Sequence, residues 1–481
     1  MRNYAVLFFA VLLFHLAGTW NLPLIDRDEP RFAEASREMR QRDDFVVPYF
    51  NNQYRFDKPP LTYWCQVLSY RVFGENDFAA RFATAVAAAL SAVVLLAWGT
   101  RMGDVRTGWW AAAIFTLCLQ TFIHGKAAVA DMWLVLFVTV AHWAGWEMLG
   151  ARSAVTDRHY RPCFFWIFYV ALAFAFLAKG PIGWMPLLTL GIARRFFPGV
   201  AVAEDGRQLQ RFDFIIGILL MMAIVCAWGI PALVRTDGEF LKIGIGKHVI
   251  GRSVATMEGH GANSFVAYLA LLPFYFVTIF ASFFPWSVKL PALWKNLRRQ
   301  RDATDNSLLI GVLIIFGIFT LVKTKLPHYT LPAFPLIALL MARRAEQLRL
   351  SRRLVWLTAT VLILVSLIAP PLIARFVPSY NLASKSRAEL RPNMEFGAVD
   401  YTEPSLVWYF RRTVSGFMTP LRNKDAVTYL GNPGSRFLIM PTDSVARFFP
   451  QIDPSWHTYR MRGWNMAKGE RVDVTMLLKE Q

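Results

Sequence analysis

Asp26, Asp28 and Glu29 put three carboxylates within four residues, and Pro30-Arg31 follows at once. Such a cluster can orient or deprotonate an incoming nucleophile. At the start of a helix it also simply complements the helix dipole. Lys58, Lys179, Lys323 and Lys325 stand in the proline-stiffened segments Asp57-Lys58-Pro59-Pro60, Lys179-Gly180-Pro181 and Lys323-Thr324-Lys325-Leu326-Pro327-His328-Tyr329. Compact ammonium groups on rigid turns suit a phosphate or diphosphate, with Tyr329 and Arg252 as further donors. One lysine at a membrane interface more often only anchors its helix, so the weight rests on convergence. Asp131 follows Ala127-Ala128-Val129-Ala130 and precedes a long apolar run. A charge there is costly unless it is paired or faces water, which makes Asp131 a candidate. His248 could ligate a divalent metal with Asp57 as partner, although the spacing is no metal motif.

These residues must be positioned by an apolar scaffold. The 481 residues are 55% hydrophobic, with a mean hydropathy of +0.35. Eleven apolar blocks stand out, at 4–21, 79–100, 107–124, 127–149, 163–179, 181–197, 213–234, 265–285, 306–322, 328–342 and 354–377. Most have the length that crosses a hydrocarbon layer of about 30 Å, and a spanning segment must satisfy its own backbone, so each predicts a helix. The block at 328–342 is short and carries Pro332 and Pro335. The chain reads as an α-helical polytopic membrane protein with eleven to thirteen spans and an uncleaved first helix.

The net charge of +19 would suggest nucleic acid in a soluble protein. Here the basic residues fall in short loops on one side: Arg101 and Arg106; Arg152, Arg158 and Arg161; Arg194, Arg195, Arg207 and Arg211; and the clusters at 289–301 and 343–353. That bias orients the chain with these loops in the cytoplasm. Every candidate residue named above then falls on the opposite face. Cys65, Cys118, Cys163 and Cys226 form no CxxC pair, so neither a disulfide framework nor a cysteine zinc site is expected.

Two extramembrane pieces remain. The loop 22–78 reads as helices near 29–42 and 59–73 around an extended middle. The tail 378–481 reads as a small α/β domain, with Ala426–Leu430 and Arg436–Met440 as strands and Ser405–Arg411 as a short helix. The domain boundary is placed between a membrane domain, 1–377, and the tail.

The motifs Asp28-Glu29-Pro30-Arg31-Phe32-Ala33-Glu34, Phe56-Asp57-Lys58-Pro59-Pro60-Leu61, Ala178-Lys179-Gly180-Pro181 and Lys323-Thr324-Lys325-Leu326-Pro327-His328-Tyr329 occur in this order. Together they resemble the aminoarabinose (4-amino-4-deoxy-L-arabinose) lipid A transferases, a family related to the protein O-mannosyltransferases. The resemblance covers about residues 4 to 345 and implies a GT-C glycosyltransferase fold. It implies transfer of a sugar from a polyprenyl-phosphate carrier to lipid A or another envelope acceptor, on the periplasmic face of a bacterial inner membrane. By the same resemblance Asp28 is the leading catalytic residue, with Glu29 beside it. Lys58 and the Lys-Leu-Pro-His-Tyr segment match donor-phosphate contacts, and Asp131 and His248 lie near the cavity. Asp57 stands where the aminoarabinose transferases usually carry Glu, and the tail is shorter than theirs. Sugar and acceptor therefore stay open.

Such a donor is already activated. No nucleotide loop is needed, and neither a Walker motif nor GxGxxG occurs. No cofactor is required, a divalent metal is allowed, and the partners are the lipid-linked donor, the acceptor and membrane lipids. Two rivals are a protein O-mannosyltransferase-like enzyme and a lipid or sugar transporter or flippase. The second predicts inverted repeats and mid-membrane charges, and no repeat is visible in the sequence.

Overall fold

The computed structural model describes residues 1–150, 159–197, 202–203, 211–251 and 265–480. Arg252 and the side chain of His248 lie outside what is described. Each of the eleven apolar blocks falls on helical structure. Five are long apolar helical stretches: Arg2–Asn21, Asp77–Met102, Phe212–Arg235, Ala303–Leu321 and Arg352–Ala374, the shortest of 19 residues. At 1.5 Å per residue each reaches the thickness of a hydrocarbon core. Phe274–Ser282 and Trp286–Arg299 are two further apolar helices that meet at a 118° bend. The remaining blocks are shorter or broken. Extended Cys118 separates Val105–Leu117 from Leu119–His124. Pro327–Ala333 is a 3-10 turn that runs into the helix Phe334–Ala342. Helix Arg352–Ala374 exposes Trp356, Leu357 and Ile368 by 72%, 62% and 59%. Apolar surface of that extent is stable only against lipid or protein. The chain is a multi-pass membrane protein.

Two compact units emerge. The first comprises Met1–His15, Phe56–Thr62 and Ala83–Ile363. Small residues let its helices approach closely. A methyl group on Gly99 would sit 2.7 Å from the Cα of Gly108, and one on Gly108 would sit 2.3 Å from the carbonyl oxygen of Leu96.

The second unit comprises Leu16–Arg55, Tyr63–Phe82 and Leu364–Gln481. The boundary expected at 377/378 lies inside it. Its first-loop portion matches expectation: helix Asp28–Arg42, a hairpin pairing Tyr49–Phe50 with Gln53–Tyr54, and helix Leu61–Phe73. The tail is a five-stranded mixed sheet, ordered Met418–Leu421, Glu395–Val399, Arg436–Pro441, Glu470–Lys479 and His457–Asn465. Alternation along the central strand explains its two covered faces. Phe437 and Ile439 pack with Leu406, Val407 and Phe410 of helix Pro404–Phe410. Leu438 and Met440 pack with Ala426, Tyr429 and Leu430 on the other side. The expected strand at Ala426–Leu430 is instead the helix Ala426–Gly431. Its three buried residues are spaced i, i+3, i+4, a helical face that in so short an apolar run looks like a strand.

Candidate functional site

In the first unit, Asp131 is the first residue of helix Asp131–Met148 and Lys179 the last of helix Cys163–Lys179. A carboxylate at a helix N-terminus and an ammonium at a C-terminus are each favoured by the local dipole. The two meet: Lys179 Nζ donates to Asp131 Oδ1 at 2.5 Å. Gly180, at φ +80° and ψ −157°, turns the chain sharply just beyond the lysine; only glycine enters that region cheaply.

Two histidines close on the same carboxylate. His328 Nε2 lies 3.9 Å from Asp131 Oδ1, and the rings of His124 and His328 have centroids 4.8 Å apart. Lys179 Nζ lies 5.5 Å from the centroid of Tyr329. Lys58, whose amine donates to the Asp57 carbonyl at 3.2 Å, is close enough for its charge to act on His328. The side chains of His328 and Asp131 are 21% and 11% exposed: within reach of a ligand, yet removed from bulk water, where electrostatic effects grow.

Lys325 is placed differently. Its ammonium donates to the carbonyls of Phe319, Thr320 and Val322 at 3.0, 2.5 and 2.5 Å. It serves the unsatisfied end of helix Ala303–Leu321. Burial pulls its pKa down to about 8. Lys323 is half-buried in the same turn. Lys126 repeats the device, donating to the carbonyls of Phe14 and His15 at 3.0 Å each.

The acidic motif belongs to the second unit. Asp28 opens helix Asp28–Arg42 and is exposed. Glu29 is buried. Its two oxygens accept from Arg81 at 2.8 and 2.7 Å, and one also accepts from the Ile25 amide at 2.8 Å. That fork is a structural anchor, since Arg81 also donates to the carbonyls of Leu22 and Pro23.

Asp26 is held by the tail. Its carboxylate accepts from the Ser405 amide at 2.9 Å and the Ser405 hydroxyl at 2.5 Å. Burial pushes its pKa up to about 7, with the Ser405 bonds opposing and Glu403 adding to the rise. The Leu24 amide donates to Tyr409 Oη at 2.7 Å, and Arg27 pairs with Glu403 at 3.3 Å. Helix Pro404–Phe410 and its flanks thus fix the backbone leading into Asp28.

Reading the sequence placed His328 only within the donor-phosphate segment and assigned no role to His124 or Ser405. The rule that ionisable groups beside apolar runs deserve suspicion would have found the histidines. Nothing local marks Ser405, which lies 379 residues from its partner.

Three comparisons bear on this arrangement. Residues 4–237 match the family model described as dolichyl-phosphate-mannose-protein mannosyltransferase. An undecaprenyl phosphate-alpha-4-amino-4-deoxy-L-arabinose arabinosyl transferase of Sodalis glossinidius is 30% identical over 345 residues, 70% of this chain and 58% of that protein. Its counterpart from an Enterobacter species is 28% identical, covering 70% and 59%. The crystal structure of ArnT from Cupriavidus metallidurans bound to undecaprenyl phosphate superposes with a TM-score of 0.74, covering 99% of this chain and 98% of that one, at 19% identity. The chain has the GT-C fold, and about 70% of it is similar in sequence to the aminoarabinose transferases. This GT-C chain spans somewhat under two thirds of the length of the arabinosyl transferases it matches. Its small C-terminal sheet domain, expected from the sequence, is present.

Proposed function

We propose that this protein is a membrane glycosyltransferase that moves a sugar from a polyprenyl-phosphate donor to lipid A or another envelope acceptor, at the periplasmic face of a bacterial inner membrane. The observation that carries the reading is Lys179, held by Asp131 at 2.5 Å beside His328 and Tyr329 at the ends of apolar helices. An ammonium so oriented is preorganised for an anion that arrives on a lipid tail. Likeness in fold to a protein crystallised with undecaprenyl phosphate supports the same ligand class.

In this reading Lys58 and Lys179 hold the donor phosphate, with Lys323, Tyr329 and Arg252 as further donors. As the acceptor attacks the anomeric carbon, the bond from that carbon to the phosphate oxygen breaks. The departing phosphate gains charge, which the lysines stabilise more in the transition state than in the ground state. Asp131 sets the position of Lys179. Lys325 secures the turn that carries Tyr329. Asp28, exposed and mounted on a fixed backbone, takes the proton if the acceptor is a hydroxyl; if it is a phosphate, Asp28 orients the acceptor. No step here requires a cofactor.

The match to the mannosyltransferase model supports a second reading, in which a protein side chain is the acceptor. The test is transfer by purified protein in vesicles containing a polyprenyl-phosphate aminosugar and lipid A, read by mass spectrometry. Asp28→Asn and Lys58→Ala should each abolish transfer while membrane insertion stays intact. Wild-type rates in both would remove these assignments. Modified protein with unmodified lipid A, in cells overproducing the chain, would select the second reading.

A further inference from the structure

We propose that His124, Asp131 and His328 form a binding site for one divalent transition-metal ion. The three side chains come from separate elements: the end of helix Leu119–His124, the start of Asp131–Met148 and the turn Pro327–Ala333. One donor atom from each lies within 4.8 Å of the others, and among the described residues this is the one such group. Two imidazoles and a carboxylate suit zinc, cobalt or manganese better than magnesium or calcium, which prefer oxygen alone. Ligand bonds of about 2.0–2.1 Å put neighbouring donors roughly 3.3 Å apart around a tetrahedral ion. The 3.9 Å between His328 Nε2 and Asp131 Oδ1 therefore closes with small side-chain rotations.

The surroundings already hold orienting contacts. Gln120 Nε2 and His124 Nδ1 are 2.9 Å apart. With the amide turned, its oxygen accepts from Nδ1–H, the usual way an outer partner fixes a ligating histidine. Lys179 already donates to Asp131 Oδ1, so the ion and the ammonium would share one carboxylate. Three protein ligands leave a fourth position open. In the glycosyl-transfer reading a phosphate oxygen fills it; that role rests on the proposed function, whereas the binding does not. The site is also distinct from the Asp57 and His248 pair that the sequence suggested.

The lysine makes the proposal sharp. Its ammonium shares the carboxylate with the incoming ion and repels it, so removing that charge should tighten metal binding, whereas removing an imidazole should weaken it. The full-length protein in detergent, stripped with a chelator, is titrated with Zn2+ alone by calorimetry and with Co2+ alone by its d–d absorption. One ion per chain is expected. His124→Ala and His328→Ala should each weaken binding at least about tenfold, and Lys179→Met should strengthen it by about tenfold or more. A misfolded variant could imitate the losses but not the gain. Wild-type binding no different from that of the His124→Ala/His328→Ala double variant, or no gain in Lys179→Met, would overturn the proposal. Because no substrate is used, failure here leaves the transferase reading untouched, and loss of transfer in Lys58→Ala leaves the metal site untouched.

Discussion

Replacing Asp26 by asparagine should flatten the pH dependence of this protein's stability between about pH 4 and pH 7. In the folded chain burial holds the carboxyl at a pKa of about 7, the hydrogen bonds from Ser405 already offsetting part of the rise. In the unfolded chain it ionises near its ordinary value of 3.8. Between those values the folded state carries a proton that the unfolded state has released. The stabilisation is complete below about pH 4, is lost as pH rises to about 7, and stays lost above. A gap of about 3 units corresponds to roughly 4 kcal/mol, a ceiling on the difference. Asparagine cannot ionise, yet its carbonyl can accept from the Ser405 amide while its NH2 donates to the Ser405 hydroxyl. The variant should match the wild type near pH 4.5 and exceed it progressively toward pH 8.

The measurement is the apparent unfolding temperature of the purified protein in detergent, followed by tryptophan fluorescence at one scan rate across that pH range. The difference between the two proteins isolates the site. Glu38, also raised by burial, is present in both and cancels if the sites act independently. Parallel curves, or a wild type more stable than the variant at pH 8, would refute the assignment of Asp26 as a carboxyl withdrawn from water.

Two further outcomes follow from single contacts. Arg81→Met strips both oxygens of buried Glu29 of their partner and leaves the Leu22 and Pro23 carbonyls short of a donor. It should cost about 3–5 kcal/mol, seen as a large fall in unfolding temperature, and an unchanged temperature would mean the ion pair is not held as described. Gly180→Ala adds a methyl group that would meet nothing within 4 Å. Any loss must then come from the backbone at φ +80°, about 1–3 kcal/mol, and an unfolding temperature equal to wild type would show that the turn relaxes.

What sequence reading reaches, and where it stops, follows from the range of the forces. Helices Asp28–Arg42 and Pro404–Phe410 and strand Arg436–Pro441 were legible because periodicity and turn chemistry act over a few residues. Ala426–Gly431 was not, because six residues carry too little period to separate helix from strand. The apolar blocks were legible as helices, while their breaks at Cys118 and Pro327–Ala333 depend on packing. At the site the limit is sharper. Lys179 and Lys325 are the same residue type in similar proline-flanked segments, and nothing in their spacing tells them apart. One ammonium is oriented by a carboxylate 48 residues away; the other is spent on carbonyls of its own turn. Asp28 and Glu29 are adjacent, yet one faces outward and the other is locked to Arg81, 52 residues on. Which partner engages each charge in a cluster is thus decided by residues far away in the chain, which local spacing does not reveal.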